Sequence, residues 1–337
     1  MKKPVLGLTL GDPAGIGPEL CLRALVEPKV LEQCVPVLFG DAKVIAQVQA
    51  CMNLKSLTRI VSFTDWEKLG PIAEPLIVDC AALNGAAVIP GEVSAACGKA
   101  GYAFIEQAIR AAQSGRLAGV VTAPIHKEAL RLAGVSQPGH TEIFTALTGA
   151  KRSCMMLHSE ALTVSMVTTH IGYHEVPGKL SVARVLDVIE LTTETMRWML
   201  RREPRIGVCG LNPHAGEHGL FGQREEEKYV EPAVAAAQER GIDATGPLVP
   251  DAAFTAAQRK RFDAFVTLYH DQGHIPFKML AFDTGVNVTL GLPIVRTSVD
   301  HGTAFDIAWR GVADPQSLYE AIGVAAKLAA GRSERGS

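Results

Sequence analysis

Short apolar runs alternate with longer amphipathic stretches along almost the whole chain. The runs are rich in Val, Ile and Leu and bounded by Gly, Pro or Asp, which is typical of buried strands. We predict strands over residues 4–10, 35–39, 75–79, 118–122, 154–157, 162–168, 205–209, 264–268 and 286–290. We predict helices, from apolar positions at helical spacing, over residues 99–113, 179–200 and 225–240. This alternation favours a largely parallel α/β architecture.

The length of 337 residues exceeds one ordinary hydrophobic core and predicts two domains or one large α/β unit. Segments rich in Pro, Gly or polar residues at 133–140 and 297–303 mark the proposed limits. We place a first, cofactor-side domain at residues 1–130 with 300–337. A second domain, at residues 131–299, is expected to carry the metal, substrate and dimer contacts.

Composition argues against several classes of partner. The chain is 47% hydrophobic with a formal net charge of −2, and it lacks the basic stripe of a nucleic-acid-binding protein. Its apolar runs of about ten residues are too short for a membrane span, which needs roughly 20. The N-terminus reads as a strand and not as a signal peptide. Seven scattered cysteines fit reduced thiols and a cytoplasmic location. The polar tail 331–337 is expected to be disordered.

Three histidines, His170, His214 and His270, each follow a strand-like run. Ligands of an open α/β sheet bind beyond the carboxyl ends of its strands, where three imidazoles can hold one divalent metal and leave positions open for substrate. Each is followed four residues later by a second histidine, at His174, His218 and His274. Glycine and proline in these windows argue against helix. We therefore favour the first histidine of each pair as the ligand and interpret the second as a solvated loop residue.

A glycine-rich turn, Gly11-Asp12-Pro13-Ala14-Gly15-Ile16-Gly17-Pro18-Glu19, follows the first predicted strand. Glycine permits close approach of the backbone to a ligand, and Pro18 suits a first helical turn. The segment is neither a Rossmann fingerprint nor a Walker loop. A ligand-binding loop and a ligand-free turn are equally consistent with it.

Other polar residues are suited to anions. His140 and Thr141 open a predicted helix, whose N-terminal N–H groups favour an anion. Thr141 is expected to cap this helix whether or not it also binds a ligand, and the alternative for His140 is a surface histidine. Arg296 offers a planar guanidinium for phosphate or carboxylate, and Asn287 adds an amide. The turn Asp300-His301-Gly302-Thr303 has the donors to hold a nucleotide or, equally, to cap a loop.

The densest reactive segment is Tyr269-His270-Asp271-Gln272-Gly273-His274-Ile275-Pro276-Phe277-Lys278. Asp271 is placed to orient a metal ligand or to act as a base. Lys278 beside a metal would relay protons. The alternative interpretation of this segment is a surface ion pair.

Together these segments resemble the 4-hydroxythreonine-4-phosphate dehydrogenases, the PdxA family of vitamin B6 synthesis. Six motifs occur in family order between Gly11 and Ala308. The resemblance implies two α/β/α domains around a central cleft, similar to isocitrate and isopropylmalate dehydrogenases. Gly11 to Glu19 resembles an expanded Gly-Asp-Gly-Ile-Gly-Pro-Glu of that wider group, and His301 to Ala308 resembles its cofactor loop.

The resemblance also implies a site. It implies a homodimer with its active site at the subunit interface, and one divalent metal held by His170, His214 and His270. It implies substrate contacts from His140, Thr141, Lys278, Asn287 and Arg296. The expected acid–base residues are Lys278, Asp271 and Asp251. NAD, with NADP as the alternative, is expected at Gly11, Asp12, Gly15, Asp300, His301, Gly302 and Thr303.

The implied reaction is oxidation of a secondary alcohol by NAD, followed by loss of the neighbouring carboxylate as carbon dioxide. A metal chelated by the hydroxyl and carboxylate would make the alcohol more acidic. Residues 273–283 resemble a branch associated with D-threonate or D-erythronate 4-phosphate, so we expect a small anionic, 4-phosphorylated 3-hydroxy acid as the substrate. Zinc, cobalt, nickel, magnesium and manganese all stay open as the metal.

Three other functions compete with this interpretation. A relative of the family oxidises a cis-dihydrodiol dicarboxylate in terephthalate breakdown, with a similar arrangement of hydroxyl and carboxylate groups. A metal-dependent hydrolase would use the same histidines to activate water and would need no nucleotide loop. A non-catalytic binding protein would bind metal or ligand without turnover.

Overall fold

The structure, a computed structural model, describes residues 3–54 and 58–335. Its strands are β1 (Val5–Thr9), β2 (Val35–Gly40), β3 (Arg59–Ser62), β4 (Leu76–Asp79), β5 (Gly119–Thr122), β6 (Cys154–His158), β7 (Thr163–Met166), β8 (Ile206–Cys209), β9 (Ala244–Leu248), β10 (Ala264–Thr267), β11 (Val286–Leu290) and β12 (Val295–Val299). Its helices are α1 (Gly17–Ala24), α2 (Pro28–Gln33), α3 (Ala42–Cys51), α4 (Phe63–Lys68), α5 (Ala95–Gln113), α6 (Lys127–Leu132), α7 (His140–Thr148), α8 (Val176–Lys179), α9 (Val182–Leu200), α10 (Glu231–Glu239), α11 (Pro250–Ala253), α12 (Ala256–Arg261), α13 (His270–Ala281) and α14 (Gln316–Arg335). The predicted mixed α/β class is confirmed.

The chain divides into two compact units. The first comprises Met1–Ala150 with Leu292–Ala330, and the second comprises Lys151–Gly291 with Gly331–Ser337. The domain limits proposed from the sequence, at residues 130 and 300, stay a prediction.

In the first unit the strands run in the order β3-β4-β2-β1-β5-β12, and every neighbouring pair is parallel. Strands β2 and β5 are buried at every residue, as continuous apolar runs predict for a sheet covered on both faces. Because all strands are parallel, the segments that follow β1, β5 and β12 leave the same edge of this array. Those segments contain the glycine-rich turn, His126 and the Asp300 turn.

In the second unit the order is β11-β6-β7-β10-β8-β9. Strand β6 is antiparallel to both β11 and β7, whereas β7, β10, β8 and β9 are parallel to their neighbours. Strands β7, β10 and β8 are therefore adjacent and point the same way. Helix α9 begins where the Ser181 hydroxyl accepts from Arg184 N at 3.1 Å, an ordinary N-cap.

Three strands were not predicted from the sequence, because none of them is a clear apolar run. Strand β3 exposes three of its four residues, β9 contains Gly246 and Pro247, and β12 carries Arg296 among hydroxyl residues. The expected disorder of 331–337 is wrong for residues 331–335, which continue α14. A Cβ on Gly331 would lie 2.1 Å from Trp198 O, so this turn is packed. Residues 336–337 lie outside the described residues.

In the described part of the chain, none of the helices combines the length and the apolar composition needed to cross a bilayer.

A close approach of two helices in the first unit gives a stability prediction. A Cβ on Gly98 of α5 would lie 2.0 Å from Ala129 O of α6, so Gly98→Ala forces the helices apart. We expect a loss of about 1–3 kcal/mol in the free energy of unfolding, as for overpacked cores. The matched control is Gly178→Ala in α8, where a new Cβ meets nothing within 4 Å. Equilibrium urea unfolding should show no loss there, since alanine is the better helix former; equal effects at both positions would contradict the packing argument.

Candidate active site

Three histidines follow three adjacent parallel strands of the second unit. His170 comes after β7, His270 after β10 and His214 after β8. The ring centres of His170 and His270 lie 5.6 Å apart. Two imidazoles that share a tetrahedral metal, with N–metal bonds of about 2.1 Å, have ring centres roughly 5–6 Å apart. This pair therefore has the spacing of two ligands of one metal.

Asp271 determines which nitrogen of His270 carries the proton. Its Oδ1 lies 2.6 Å from His270 Nδ1, and Tyr173 donates its hydroxyl to Oδ2. These hydrogen bonds, that from Tyr173 foremost, lower the pKa of the Asp271 carboxyl. An ionised carboxylate only accepts hydrogen bonds, so Nδ1 of His270 is the donor, and in the neutral imidazole Nε2 carries the lone pair. A carboxylate behind an imidazole is the usual outer partner of a metal-ligating histidine.

The expectation that residues 270–274 are non-helical is wrong, because α13 begins at His270. Tertiary packing outweighs the unfavourable Gly and Pro. Gln272 accepts from Leu268 N and donates to Gly210 O, both at 2.7 Å, and Phe277 is fully buried. His274 is also corrected: it is buried, stacks on His270 at 3.6 Å, and its Nδ1 lies 3.1 Å from His270 O. It is not a solvated loop residue.

His214 is exposed, and its ring stacks on Phe221 at 5.9 Å between centres. It borders an open cavity of about 640 Å³ in the second unit. The same cavity is lined by Asp251, Tyr269 and Asp271. The cavity thus brings one predicted metal ligand beside two predicted acid–base residues.

The histidines supply donors of the right chemistry, but no complete ligand set is formed. Among residues 3–54 and 58–335, no three His, Cys, Asp or Glu side chains converge so as to hold a metal ion. The pair His170 and His270, with Asp271 behind it, fits two metal ligands. The three-histidine set stays a prediction.

The other predicted site residues of the second unit lie on three different elements. The Lys278 ammonium lies 5.4 Å from the centre of the Phe282 ring, one turn along α13. Asp251 is exposed in the first turn of α11. Asn287 lies in β11, and its buried Oδ1 has no hydrogen-bond partner within the described residues. An unsatisfied buried amide oxygen is a place where a ligand donor is favoured.

Arg296 and His140 are neighbouring polar residues of the first unit, close enough for the charge of one to act on the other. Arg296 is buried in β12, donates to Thr122 Oγ1 at 2.9 Å, and its guanidinium lies 5.5 Å from the centre of the Phe144 ring. Burial lowers the pKa of Arg296 to about 9, opposed by the charge of Glu142. Burial and then the Arg296 charge lower the pKa of His140 well below its usual value. Within the described residues, the buried Nε2 of His140 has no partner.

Thr141 does not cap α7, so the capping expected of it is wrong. The N-cap is Gly139, and among the described residues no side chain caps this end. An uncapped helix N-terminus beside His140 is a favourable position for an anion.

The two predicted cofactor segments contact each other in the first unit. Ile16 N donates to Thr303 O at 3.0 Å, and a Cβ on Gly15 would lie 3.0 Å from Thr303 Cβ. Gly11 has a φ of +74°, and its Cβ would lie 2.3 Å from Pro124 O. Glycine is therefore required at position 11 for its approach to Pro124, whereas a side chain at position 15 would be in tight contact with Thr303. His301 and Gly302 are exposed and Asp300 is half-buried.

Asp12 and His126 present unsatisfied polar atoms at this position. Asp12 is buried; its Oδ1 accepts from Ala14 N at 2.9 Å, and burial raises its pKa to about 6. Across the residues that the structure covers, its Oδ2 and the Nδ1 of His126 have no hydrogen-bond partner. The His126 ring stacks on Phe305 at 4.8 Å. No role for His126 is predicted from the sequence, although it follows β5 as the other histidines follow their strands.

The chain matches one protein family and is similar to characterised relatives. The family described as "Pyridoxal phosphate biosynthetic protein PdxA" matches residues 32–325. The D-threonate 4-phosphate dehydrogenase of Cupriavidus necator is 42% identical over 335 residues, covering 98% of each chain.

Two solved structures extend the comparison. A 4-hydroxythreonine-4-phosphate dehydrogenase from Burkholderia phymatum is 44% identical with a TM-score of 0.84, covering 97% of this chain and 98% of that one. A terephthalate 1,2-cis-dihydrodiol dehydrogenase from Burkholderia xenovorans is 32% identical with a TM-score of 0.72, covering 96% and 98%.

The raised pKa of Asp12 predicts a pH-dependent stability. Because the folded-state pKa is about 6 against an ordinary 3.8, the folded protein holds this proton more tightly. That stabilisation is fully present below pH 3.8 and is lost as the pH rises through 6, an effect of up to about 3 kcal/mol.

Asp12→Asn keeps the acceptor for Ala14 N and removes the titration. We expect the variant to gain stability relative to wild type between pH 4 and pH 7 in urea unfolding, whereas exposed Asp306→Asn should track wild type. Parallel profiles for Asp12→Asn and wild type would contradict the assignment.

Proposed function

The chain belongs to the PdxA family, and on that premise we propose that it oxidises the hydroxyl group of a 4-phosphorylated 3-hydroxy acid. The proposal includes a nicotinamide cofactor, a divalent metal and loss of the adjacent carboxylate as carbon dioxide. The observation that carries it is the position of His170, His270 and His214 beyond the ends of three adjacent parallel strands. Relatives named as dehydrogenases of such substrates support the same reaction class.

The proposed metal ligands are His170, His214 and His270. A divalent metal, when bound, supplies a Lewis acid for the substrate's hydroxyl and carboxylate oxygens. Asp271 keeps His270 in the tautomer whose Nε2 carries the lone pair. Lys278, Asp271 and Asp251 are the proposed acid–base residues, because each is a proton carrier in the unit that holds these histidines.

The phosphate is proposed to bind at Arg296, His140 and Thr141. A buried guanidinium lacks the stabilisation of water, and a phosphate dianion would restore it through charge-assisted hydrogen bonds. The uncapped N-terminus of α7 adds backbone donors of the same polarity. Asn287, with its unsatisfied Oδ1, is proposed to accept a hydrogen bond from a substrate hydroxyl or ammonium group.

NAD, with NADP as the alternative, is proposed to bind at the contacting segments that contain Gly11, Gly15 and Thr303. The unsatisfied Oδ2 of Asp12 and Nδ1 of His126 are polar atoms that a bound cofactor would pair. A nicotinamide ring supplies the hydride acceptor, and the protein supplies position and electrostatics.

The substrate is proposed as a class, because relatives of similar identity bear different names. The relative named for D-threonate 4-phosphate is 42% identical and that named for 4-hydroxythreonine 4-phosphate is 44% identical. Both substrates place a hydroxyl group beside a carboxylate-bearing carbon and a phosphate at the far end. Pyridoxine biosynthesis and sugar-acid breakdown are the two physiological settings that this class allows.

A homodimer is proposed from the exposed face of α13. Ile275, Met279 and Phe282 follow one another at helical spacing and are 57%, 82% and 70% exposed. Contiguous exposed apolar side chains mark an interaction surface, and a two-fold dimer is the commonest assembly of one chain. Since α13 begins with His270, this surface would place the proposed metal site near the subunit interface.

An NADH-production assay with added divalent metal tests the proposed reaction. We expect turnover of 4-hydroxythreonine, D-threonate or D-erythronate 4-phosphate, and loss of at least about 100-fold in kcat/KM for His170→Ala and His270→Ala, because each removes a proposed ligand. His174→Ala is the matched control, since His174 is exposed and lies outside the proposed set. No NADH from any of the three, or turnover of the dihydrodiol alone, would contradict the substrate class; metal-dependent hydrolysis without cofactor would favour the hydrolase.

Light scattering after size exclusion tests the proposed dimer. Met279→Glu places a charge in the α13 face and should shift the mass from two chains to one. Leu132→Glu in α6, at an exposed apolar residue of the other unit, should leave the mass unchanged. A wild-type protein with the mass of one chain would contradict the dimer.

A further inference from the structure

The segment that carries His214 has an unusual backbone. His214, Ala215, Gly216, Glu217 and His218 have φ angles of 53°, 54°, 80°, 41° and 54°. Four of these five residues are not glycine, and left-handed backbone is unfavourable for any residue with a Cβ. Such a run persists only where its surroundings enforce it, and strained backbone of this kind clusters at functional sites. The structure must therefore contain a group that holds this segment.

Glu226 is a carboxylate that contacts the residues on both sides of His214. It is buried at the start of a π-helical turn, Glu226–Val230, that continues into α10. Its Oε1 accepts from Leu211 N at 2.9 Å and from Asn212 N at 2.8 Å, and its Oε2 accepts from Asn212 Nδ2 at 3.1 Å. A buried carboxylate that accepts several hydrogen bonds is held firmly, since each bond to a charged group is a strong one.

The Glu226 carboxylate also restricts the segment sterically, through close contacts with two glycines. A Cβ on Gly216 would lie 2.6 Å from Glu226 Oε2, and a Cβ on Gly210 would lie 3.2 Å from Oε1. A side chain at Gly216 would collide with this carboxylate, and one at Gly210 would be in tight contact with it. Hydrogen bonding before His214 and close packing after it therefore meet at one carboxylate.

Glu225 completes the clamp on Asn212. Its Oε2 accepts from Asn212 Nδ2 at 2.9 Å and from Gln223 N at 2.7 Å. Although burial opposes it, these hydrogen bonds hold the pKa of Glu225 below its usual value. Asn212 O in turn accepts from Ala215 N at 3.1 Å. The residue two positions before His214 is thus tied to both carboxylates and to the segment itself.

We propose that Glu226 is a positioning residue that enforces the left-handed conformation of residues 214–218 and so presents His214 for metal binding. The second half rests on the proposed function, in which His214 is a metal ligand. The first half does not, because it concerns the metal-free chain. Glu226 itself is not proposed to touch metal or substrate.

Hydrogen exchange of the metal-free protein tests the first half. In Glu226→Ala, exchange in residues 211–218 should accelerate roughly 10- to 100-fold, as expected for the loss of charged hydrogen bonds. Glu226→Gln retains an oxygen for Leu211 N and Asn212 N but turns an amide toward Asn212 Nδ2, so an intermediate rate is expected. Glu231→Ala is the matched control: it lies on the same helical segment and is exposed. Wild-type exchange in both Glu226 variants would overturn the proposal.

Cobalt(II) titration, followed by calorimetry and by the absorption spectrum of the bound ion, tests the second half. We expect the affinity to fall roughly 10- to 100-fold in Glu226→Ala, with a spectral change like that of His214→Ala and partial rescue in Glu226→Gln. Wild-type affinity and spectrum despite faster exchange would overturn the link between Glu226 and metal binding. A wild-type protein that binds no cobalt would instead contradict the proposed function, while the exchange result would still decide the role of Glu226 in the segment.

Discussion

The common direction of the parallel strands is the constraint on which the functional residues depend. The chain leaves every strand of a parallel array at the same edge, so side chains far apart in sequence follow neighbouring strand ends. His170, His270 and His214 follow β7, β10 and β8 in this manner. In the first unit, Asp12 and His126 follow β1 and β5. Strand polarity thus selects which residues can act together within each unit.

Buried polar groups determine which of these positions can bind a ligand. Arg296, Asp12 and Glu226 are all buried, where an ionised or dipolar group is costly without partners. Glu226 accepts hydrogen bonds from backbone donors, whereas Asp12 Oδ2 has no partner in the part of the chain that the structure describes. The hydrogen bonds of Glu226 hold a backbone segment in place. The buried oxygen of Asp12 favours the binding of a ligand donor or of a proton. Burial of a polar group is costly in both cases. Where the protein supplies the hydrogen-bond partner, the backbone is held in place; where it does not, binding of a ligand is favoured.

Sequence patterns predicted elements wherever burial is continuous and failed where context decides. The apolar runs at β1, β2 and β10 coincide with observed strands, because burial on both faces demands such runs. Strand β12 was missed, since a buried Arg296 looks like a surface residue in sequence. Helix α13 was missed at 270–274 because Gln272 and Phe277 override local propensity through distant contacts. The strand-end histidines could be predicted from spacing, whereas the role of Glu226 required a fold that brings residues 211 and 226 together.

We propose that the three strand-end histidines hold one metal. A crystal structure grown with cobalt(II), with diffraction data collected at the cobalt absorption edge, would locate that metal. We expect one strong anomalous peak within about 2.0–2.2 Å of nitrogens from His170, His214 and His270. A peak bound elsewhere, or an ordered site in which these imidazoles surround no metal, would contradict it.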